Sequence, residues 1–288
     1  MIAGLWRTMR PKQWTKNGFI FIPLVFDAKL FQPRPLALTL AGFVLLCLIS
    51  SVVYIVNDLS DFEKDRQHPT KRNRPLPSGQ LSVRAAQIAA LVLSVVTLAL
   101  SFGLNVWFGL IVAGYFFIQL AYSACLKNVV IVDVMAIAAG FVLRVAAGAP
   151  LVNVERFSPW LYVFTTMLAL FLALGKRRAE IVLLQDDASN HRPILTEYNL
   201  EYLDQMINVV VGGSIIIYSL YTFTAVNLPA NHTMMLTIPF AIYTLFRLLY
   251  LIHVKGEGGA PDEILLRDRP LQIALVLWGI ASALVLYH

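Results

Sequence analysis

Nine stretches of this chain are apolar enough to cross, or nearly cross, a lipid bilayer, and that repetition limits the fold before any single residue is weighed. They fall at 17–31, 36–57, 82–101, 105–124, 129–149, 159–175, 204–225, 234–253 and 270–287, where a spanning helix needs about 20 residues for roughly 30 Å of hydrocarbon. Within a bilayer, a lone segment satisfies its own backbone N–H and C=O groups only by winding into a helix. The expected fold is therefore all-α: a polytopic membrane protein with nine transmembrane helices. The first run is the shortest and holds both Pro23 and Asp27. A hydrophobic share of 58% with 14% charged residues agrees, since an ordinary soluble domain has about 25% charged residues.

The net charge of +6 invites a nucleic-acid reading, but topology explains it. With the N-terminus in the cytoplasm, 18 of the 23 Lys and Arg residues fall on cytoplasmic segments. The opposite side takes only Lys29, Arg34 and Arg156, while Arg144 and Arg247 lie inside spans. This is the positive-inside pattern, and it supports an odd number of helices and no nucleic-acid partner. The basic N-terminus lacks an apolar core ending in a small-residue cleavage site, so no removable signal is expected. Cys47 and Cys125 have no spaced partners that would suggest a disulfide framework or a metal site.

The long polar loops, at 58–81, 176–203 and 254–269, all lie on the cytoplasmic side of this arrangement, where chemistry is expected. No linker, low-complexity stretch or tandem repeat divides the chain, so residues 1–288 read as a single domain. Two of the loops follow even-numbered helices in the same way, which suggests two related halves facing a shared cavity.

The densest polar signal is Asn57-Asp58-Leu59-Ser60-Asp61-Phe62-Glu63-Lys64-Asp65, directly after the second apolar run. On a helix, Asp58, Asp61 and Asp65 fall within an arc of about 60°, with Asn57 to one side. Carboxylates so close repel one another unless a cation sits among them. Hard oxygen donors of this kind suit Mg²⁺, which keeps several waters and shares its other positions with substrate phosphates. The plain alternative is a solvated acidic helix end.

Further polar residues fall on the same side: Lys71-Arg72-Asn73-Arg74-Pro75, Tyr122 and Lys127 after the fourth helix, and Asp133 entering the fifth. After the sixth comes Lys176-Arg177-Arg178-Ala179-Glu180, where Lys176 and Glu180 are spaced for a surface ion pair and the three bases for a stop signal. Trp14 reads as an interfacial anchor. Lys16 is open between anchor and ligand, and Arg144, deep in its span, has no assigned partner.

Asn57-Asp58-x-x-Asp61-x-x-x-Asp65 with Lys71-x-Asn73-Arg74-Pro75, Tyr122-Ser123-x-x-Leu126-Lys127 and Asp133 resembles the UbiA superfamily of intramembrane prenyltransferases. The resemblance implies a UbiA-like bundle with a cytoplasmic-facing cavity, and Mg²⁺ held at Asn57, Asp58, Asp61 and Asp65. Where aromatic prenyltransferases carry a second Asp-x-x-x-Asp, this chain has Lys176-Arg177-x-x-Glu180, with Asp186-Asp187 farther on.

That departure is similar to the decaprenyl-phosphate phosphoribosyltransferase branch. So are Arg10-Pro11-Lys12-Gln13-Trp14-x-Lys16-Asn17 and His191-Arg192-Pro193-x-Leu195-x-x-Tyr198. The branch implies phosphoribosyl pyrophosphate as donor and a polyprenyl phosphate lipid as acceptor, in a bacterial or archaeal inner membrane. Asp58, Asp61, Asp65, Lys127 and Glu180 are then the expected catalytic residues. Lys16, Lys71, Arg74, Tyr122, Lys127, Lys176 and Arg177 are the expected phosphate ligands. An aromatic prenyltransferase using a polyprenyl diphosphate and, from another class, a cation or lipid transporter are the rival readings. Whether the bundle forms a homo-oligomer is open.

Overall fold

A computed structural model describes residues 2–68, 71–154, 158–184, 193–225, 228–257, 264 and 267–287. Arg156, Asp186, Asp187, His191 and Arg192 lie outside the described residues. In chain order the elements are α1 (Ile2–Thr8), a 3-10 helix (Pro11–Phe21), α2 (Ile22–Phe26), α3 (Pro33–Ser60), α4 (Phe62–Gln67), α5 (Val83–Leu104), α6 (Val106–Ala124), α7 (Val132–Val152), α8 (Pro159–Leu184), α9 (Leu200–Thr224), α10 (Ile238–His253) and α11 (Arg269–Tyr287), joined by short 3-10 turns. Among the described residues all regular structure is helical.

Eight helices among the described residues are long and apolar enough to cross a membrane: α3, α5, α6, α7, α8, α9, α10 with the turn before it, and α11. They are the second to ninth expected spans. The first expected span, 17–31, is not one α-helix; it is the end of the 3-10 helix followed by five-residue α2. This segment nonetheless runs antiparallel to α3. Arg10 meets Asp58, Trp14 Nε1 donates to Ser51 Oγ at 3.0 Å, and Asn17 Nδ2 donates to Ser50 Oγ at 3.2 Å. Farther on, Phe21 lies against Phe43 with ring centroids 5.7 Å apart. Trp14 is therefore half-buried on α3 with a hydrogen-bonded indole, where an interfacial anchor was expected.

The chain forms two compact units. The first holds residues up to Val25, Lys29–Ala124 and Leu143–Val154. Its core packs Ile20, Leu46 and Ile49 against Phe108, Val112 and Ala147, with a second cluster of Met9, Ile55, Leu76 and Leu81. In α5, small residues face inward (Ala86, Ala90, Thr97, Ser101) and large ones outward (Ile88, Leu91, Val92, Val95). Small residues let backbones approach inside a membrane while large apolar ones meet lipid. Gly148 of α7 marks the closest approach, since a Cβ there would lie 2.2 Å from the Ile20 carbonyl oxygen.

The second unit holds Phe26–Ala28, Cys125–Val142 and the chain from Glu155 onward. Its core joins Phe171 and Leu174 of α8, Leu203 and Ile207 of α9, and Leu248 and Leu251 of α10.

Candidate functional site

Within the first unit, two apolar anchors shape the acidic motif. In the loop after α4, Pro75, Leu76 and Leu81 are buried, and the two leucines join Met9 and Ile55 in one cluster. Each anchor carries a cation beside it. Met9 precedes Arg10, and Leu76 lies two residues after Arg74. Both guanidinium groups are thereby brought to the end of α3.

There Arg10 Nη2 donates to Asp58 Oδ1 at 2.5 Å, and Arg74 Nη1 donates to the same oxygen at 3.2 Å and to Asp65 Oδ2 at 2.7 Å. Asp58 and Asp65 are each 2% exposed, whereas both arginine side chains are 32% exposed. The Arg10 guanidinium also lies over the Tyr54 ring, 4.9 Å from its centroid, as a cation–π contact requires. Arg10 has φ 52° and ψ 61°, a left-handed conformation uncommon outside glycine.

The expected helical wall bends at Asp61. That residue ends α3 with φ −95° and ψ 6°, although hydrogen bonds from Asp61 N to Asn57 O (3.0 Å) and from Asp65 N to Asp61 O (2.8 Å) bridge the bend. Among the described residues no three acidic, His or Cys side chains form a metal-sized group. What converges is a pair, Asp58 and Asp65, on one cationic nitrogen. This pair fits Mg²⁺ in the form the ion prefers, with one or two carboxylates and the remaining positions left to water and phosphate. Lys71 is exposed on its turn, Lys16 half-buried on the 3-10 helix, and Tyr122 half-buried near the end of α6.

The second unit answers differently to the expectations placed on it. Arg177 is fully buried, its Nε donating to Asp133 Oδ2 at 2.7 Å and its Nη1 to Glu180 Oε2 at 2.6 Å. It is an internal tie, because α8 turns it toward the core with Ala173 and Leu174. Glu180 pairs with Arg177 instead of Lys176, which is exposed on the same turn. Tyr198 completes the network: its hydroxyl donates to Asp133 Oδ1 at 2.7 Å and accepts the Ile131 N–H at 2.7 Å. Burial first, and then that bond to Asp133, push its phenol well above the usual tyrosine range. Ile131 has φ 68°, strained for a β-branched residue. It lies in the short loop that carries half-buried Lys127.

Three further polar ties were not foreseen. Arg144 donates to Asn17 Oδ1 at 2.9 Å and to the Tyr115 hydroxyl at 2.7 Å, both within the first unit. Arg178 donates to Asp204 Oδ1 at 2.6 Å, and His253 Nε2 lies 3.1 Å from the same oxygen. Arg247, inside its span, pairs with Asp268 at 2.8 Å.

Comparison with known proteins adds breadth to this geometry. The model of the UbiA prenyltransferase family matches residues 21–260. The chain is 32% identical over 289 residues to the decaprenyl-phosphate phosphoribosyltransferase of Corynebacterium glutamicum, covering 99% of this chain and 87% of that one. It is 30% identical to the protein of the same name from Mycolicibacterium smegmatis, over 96% of this chain and 91% of that one. Its fold is similar to that of a UbiA homolog from Archaeoglobus fulgidus solved with DMAPP and Mg²⁺. That match has a TM-score of 0.73 and 19% identity, and covers 98% of this chain and 99% of the other.

Proposed function

The chain belongs to the UbiA prenyltransferase family, and from that premise we propose that this membrane transferase moves the 5-phosphoribosyl group of phosphoribosyl pyrophosphate onto a polyprenyl phosphate of the decaprenyl class. The reaction uses Mg²⁺ and takes place on the cytoplasmic face of a bacterial or archaeal inner membrane. Polyprenylphosphoryl-5-phosphoribose and pyrophosphate are its products. One observation carries the choice of donor: the Arg74 side chain that joins Asp58 and Asp65 is 32% exposed, whereas Arg177, which holds Asp133 and Glu180, is buried. One acidic pair, not two, is thus offered to a metal. Similarity of 30–32% over nearly the whole chain to proteins named for this activity supports the same reading.

Asp58 and Asp65, with Asn57 and Asp61 beside them, would hold Mg²⁺, which supplies Lewis acidity toward a leaving pyrophosphate. Arg74 and Lys71 neutralise pyrophosphate oxygens, Arg74 through two parallel N–H donors. Lys16, Tyr122, Lys127 and Lys176 take the 5-phosphate and the acceptor phosphate. Glu180, fixed by Arg177, accepts from a ribose hydroxyl. The ribose C1–O bond to pyrophosphate breaks with its electron pair on the leaving group. A lipid phosphate oxygen forms the new C1–O bond from the opposite face, with inversion. That oxygen is already anionic near neutral pH, so the chain supplies alignment and charge neutralisation in place of a strong base.

The test is transfer of labelled ribose phosphate from phosphoribosyl pyrophosphate to a polyprenyl phosphate in detergent, with and without Mg²⁺. Mg²⁺-dependent labelling of the lipid is expected. Turnover of a prenyl diphosphate with 4-hydroxybenzoate, and no ribosyl transfer, would replace this reading with that of an aromatic prenyltransferase.

A further inference from the structure

We propose that the first unit carries a phospholipid site at the membrane boundary opposite the acidic motif, where Arg34 binds the headgroup phosphate of an anionic glycerophospholipid. The site is separate from the transfer reaction and stands without it.

Arg34 and Asp58 lie at opposite ends of α3, about 36 Å apart at ~1.5 Å per residue. That exceeds the roughly 30 Å of hydrocarbon in a bilayer. With Asp58 at one boundary, Arg34 is therefore at the other, among headgroups. Trp107, exposed at the start of α6, marks the same depth, where Trp residues gather in membrane proteins.

A cavity of about 240 Å³ opens there, with Leu38, Leu104 and Leu151 as apolar walls and Arg34, Asn105 and Asn153 as polar lining. All six belong to the first unit. At ~30 Å³ per water, the space takes a phosphate with its glycerol, while the acyl chains stay in the bilayer.

The charges select the headgroup. Of the three basic residues expected on this side, Arg34 lines the cavity and Lys29 reaches its edge, donating to the Val152 and Asn153 carbonyl oxygens at 3.2 and 3.1 Å. Those carbonyls end α7, and Lys29 covers the negative end of the helix that would otherwise oppose an anion. Among the described residues no acidic side chain lines the cavity, and Arg34 has no ion-pair partner.

Asn105 spends its side-chain oxygen on the Trp107 and Phe108 N–H groups, at 2.9 and 3.1 Å. Its amide nitrogen is left to donate to a phosphate or hydroxyl oxygen. A polyol phosphodiester such as phosphatidylglycerol satisfies both the cation and the amides. The ammonium of a zwitterionic lipid would instead meet two cations of its own sign.

The full chain in detergent is titrated with phosphatidylglycerol, and bound lipid is read by native mass spectrometry. Arg34→Gln is expected to weaken the first binding event about 10-fold, the scale of one charge-assisted hydrogen bond. Leu38→Phe, which fills the cavity and leaves every charge in place, weakens it several-fold. Phosphatidylcholine binds the wild type several-fold more weakly than phosphatidylglycerol. Arg84→Gln, which removes an exposed charge at the far end of α5, behaves as the wild type.

Unchanged affinity in Arg34→Gln, an equal loss in Arg84→Gln, or equal binding of phosphatidylcholine overturns the proposal. A loss in Arg34→Gln with none in Leu38→Phe also overturns it, reducing Arg34 to an interfacial charge. Displacement of the lipid by excess inorganic phosphate assigns the site to a free anion instead. Should Arg34→Gln fail to fold, Arg34→Lys, expected to retain most of the affinity, is compared with Leu38→Phe, and equal binding by the two overturns the cavity.

Discussion

Asp58→Asn keeps the size of the side chain at the end of α3 and removes the charge shared by Arg10 and Arg74. Ribosyl transfer is expected to fall at least ~100-fold, the scale on which removing one preorganised electrostatic group acts, while circular dichroism retains its helical signal. Near-wild-type turnover would reduce the acidic pair to a structural ion pair. Gly148→Ala tests packing and not chemistry: its new methyl would meet the Ile20 carbonyl oxygen, so thermal stability should drop while any residual Mg²⁺ dependence persists. The acidic residues of the site were legible because four carboxylates beside an apolar run need a cation. Arg10 was visible only as part of a motif, although Leu76 and Leu81, the two leucines of a loop otherwise made of polar residues, prolines and glycine, were a usable sign of a fold-back. The burial of Arg177 was not legible in the run itself, since three consecutive bases do not say which one faces inward. Extending the buried stripe of Ala173 and Leu174 by one turn lands on Arg177, and that signal was available.

At the scale of elements, the ties between helices explain what the long loops conceal in sequence. Tyr198 lies beyond a stretch outside the described residues, yet it holds the strained Ile131 and so the loop bearing Lys127. Tyr198→Phe should reduce turnover as Lys127→Ala does, and the double variant should lose little more than either single one. Fully additive losses would instead assign Tyr198 to general stability. Asp268 does two jobs at the start of α11, accepting the Leu271 N–H at 2.8 Å as an N-cap and pairing with Arg247. Its hydrogen bond with Arg247 is the main reason its carboxyl is held below the usual aspartate range. The stability it lends is therefore present above an unfolded value of about 3.9 and is lost as pH falls through the lower folded value. Asp268→Ala should lose both the cap, worth about 1 kcal/mol, and this acid-dependent part. Asp268→Asn should lose chiefly the latter, as thermal melts across pH would record.

For the molecule as a whole, orientation is the open expectation, and the chain carries its own probe. Cys125 is exposed and Cys47 is buried, so a membrane-impermeant maleimide should label one thiol per chain. Labelling is expected in inverted vesicles and not in right-side-out ones, as a cytoplasmic end of α6 requires. The reverse pattern would overturn the placement drawn from Lys and Arg. Fold class and the eight long spans were plain in the apolar runs, since lipid leaves few alternatives to a helix. The first run escaped that logic because Pro23 and a short length left its winding undetermined.

That winding has a metrical consequence. Eleven residues of 3-10 helix rise about 22 Å at ~2.0 Å each. The part of α3 beside them, from Asp58 back to Phe43, covers about 22 Å at ~1.5 Å per residue. Wound as an α-helix, the same eleven residues would reach only ~16 Å. The tighter coil is a stretched ruler laid beside an ordinary one, and it lets a segment too short for a regular crossing keep its marks aligned at both ends. Relaxed to the α-helical pitch with Phe21 still on Phe43, it would end ~6 Å short and draw Arg10 off Asp58.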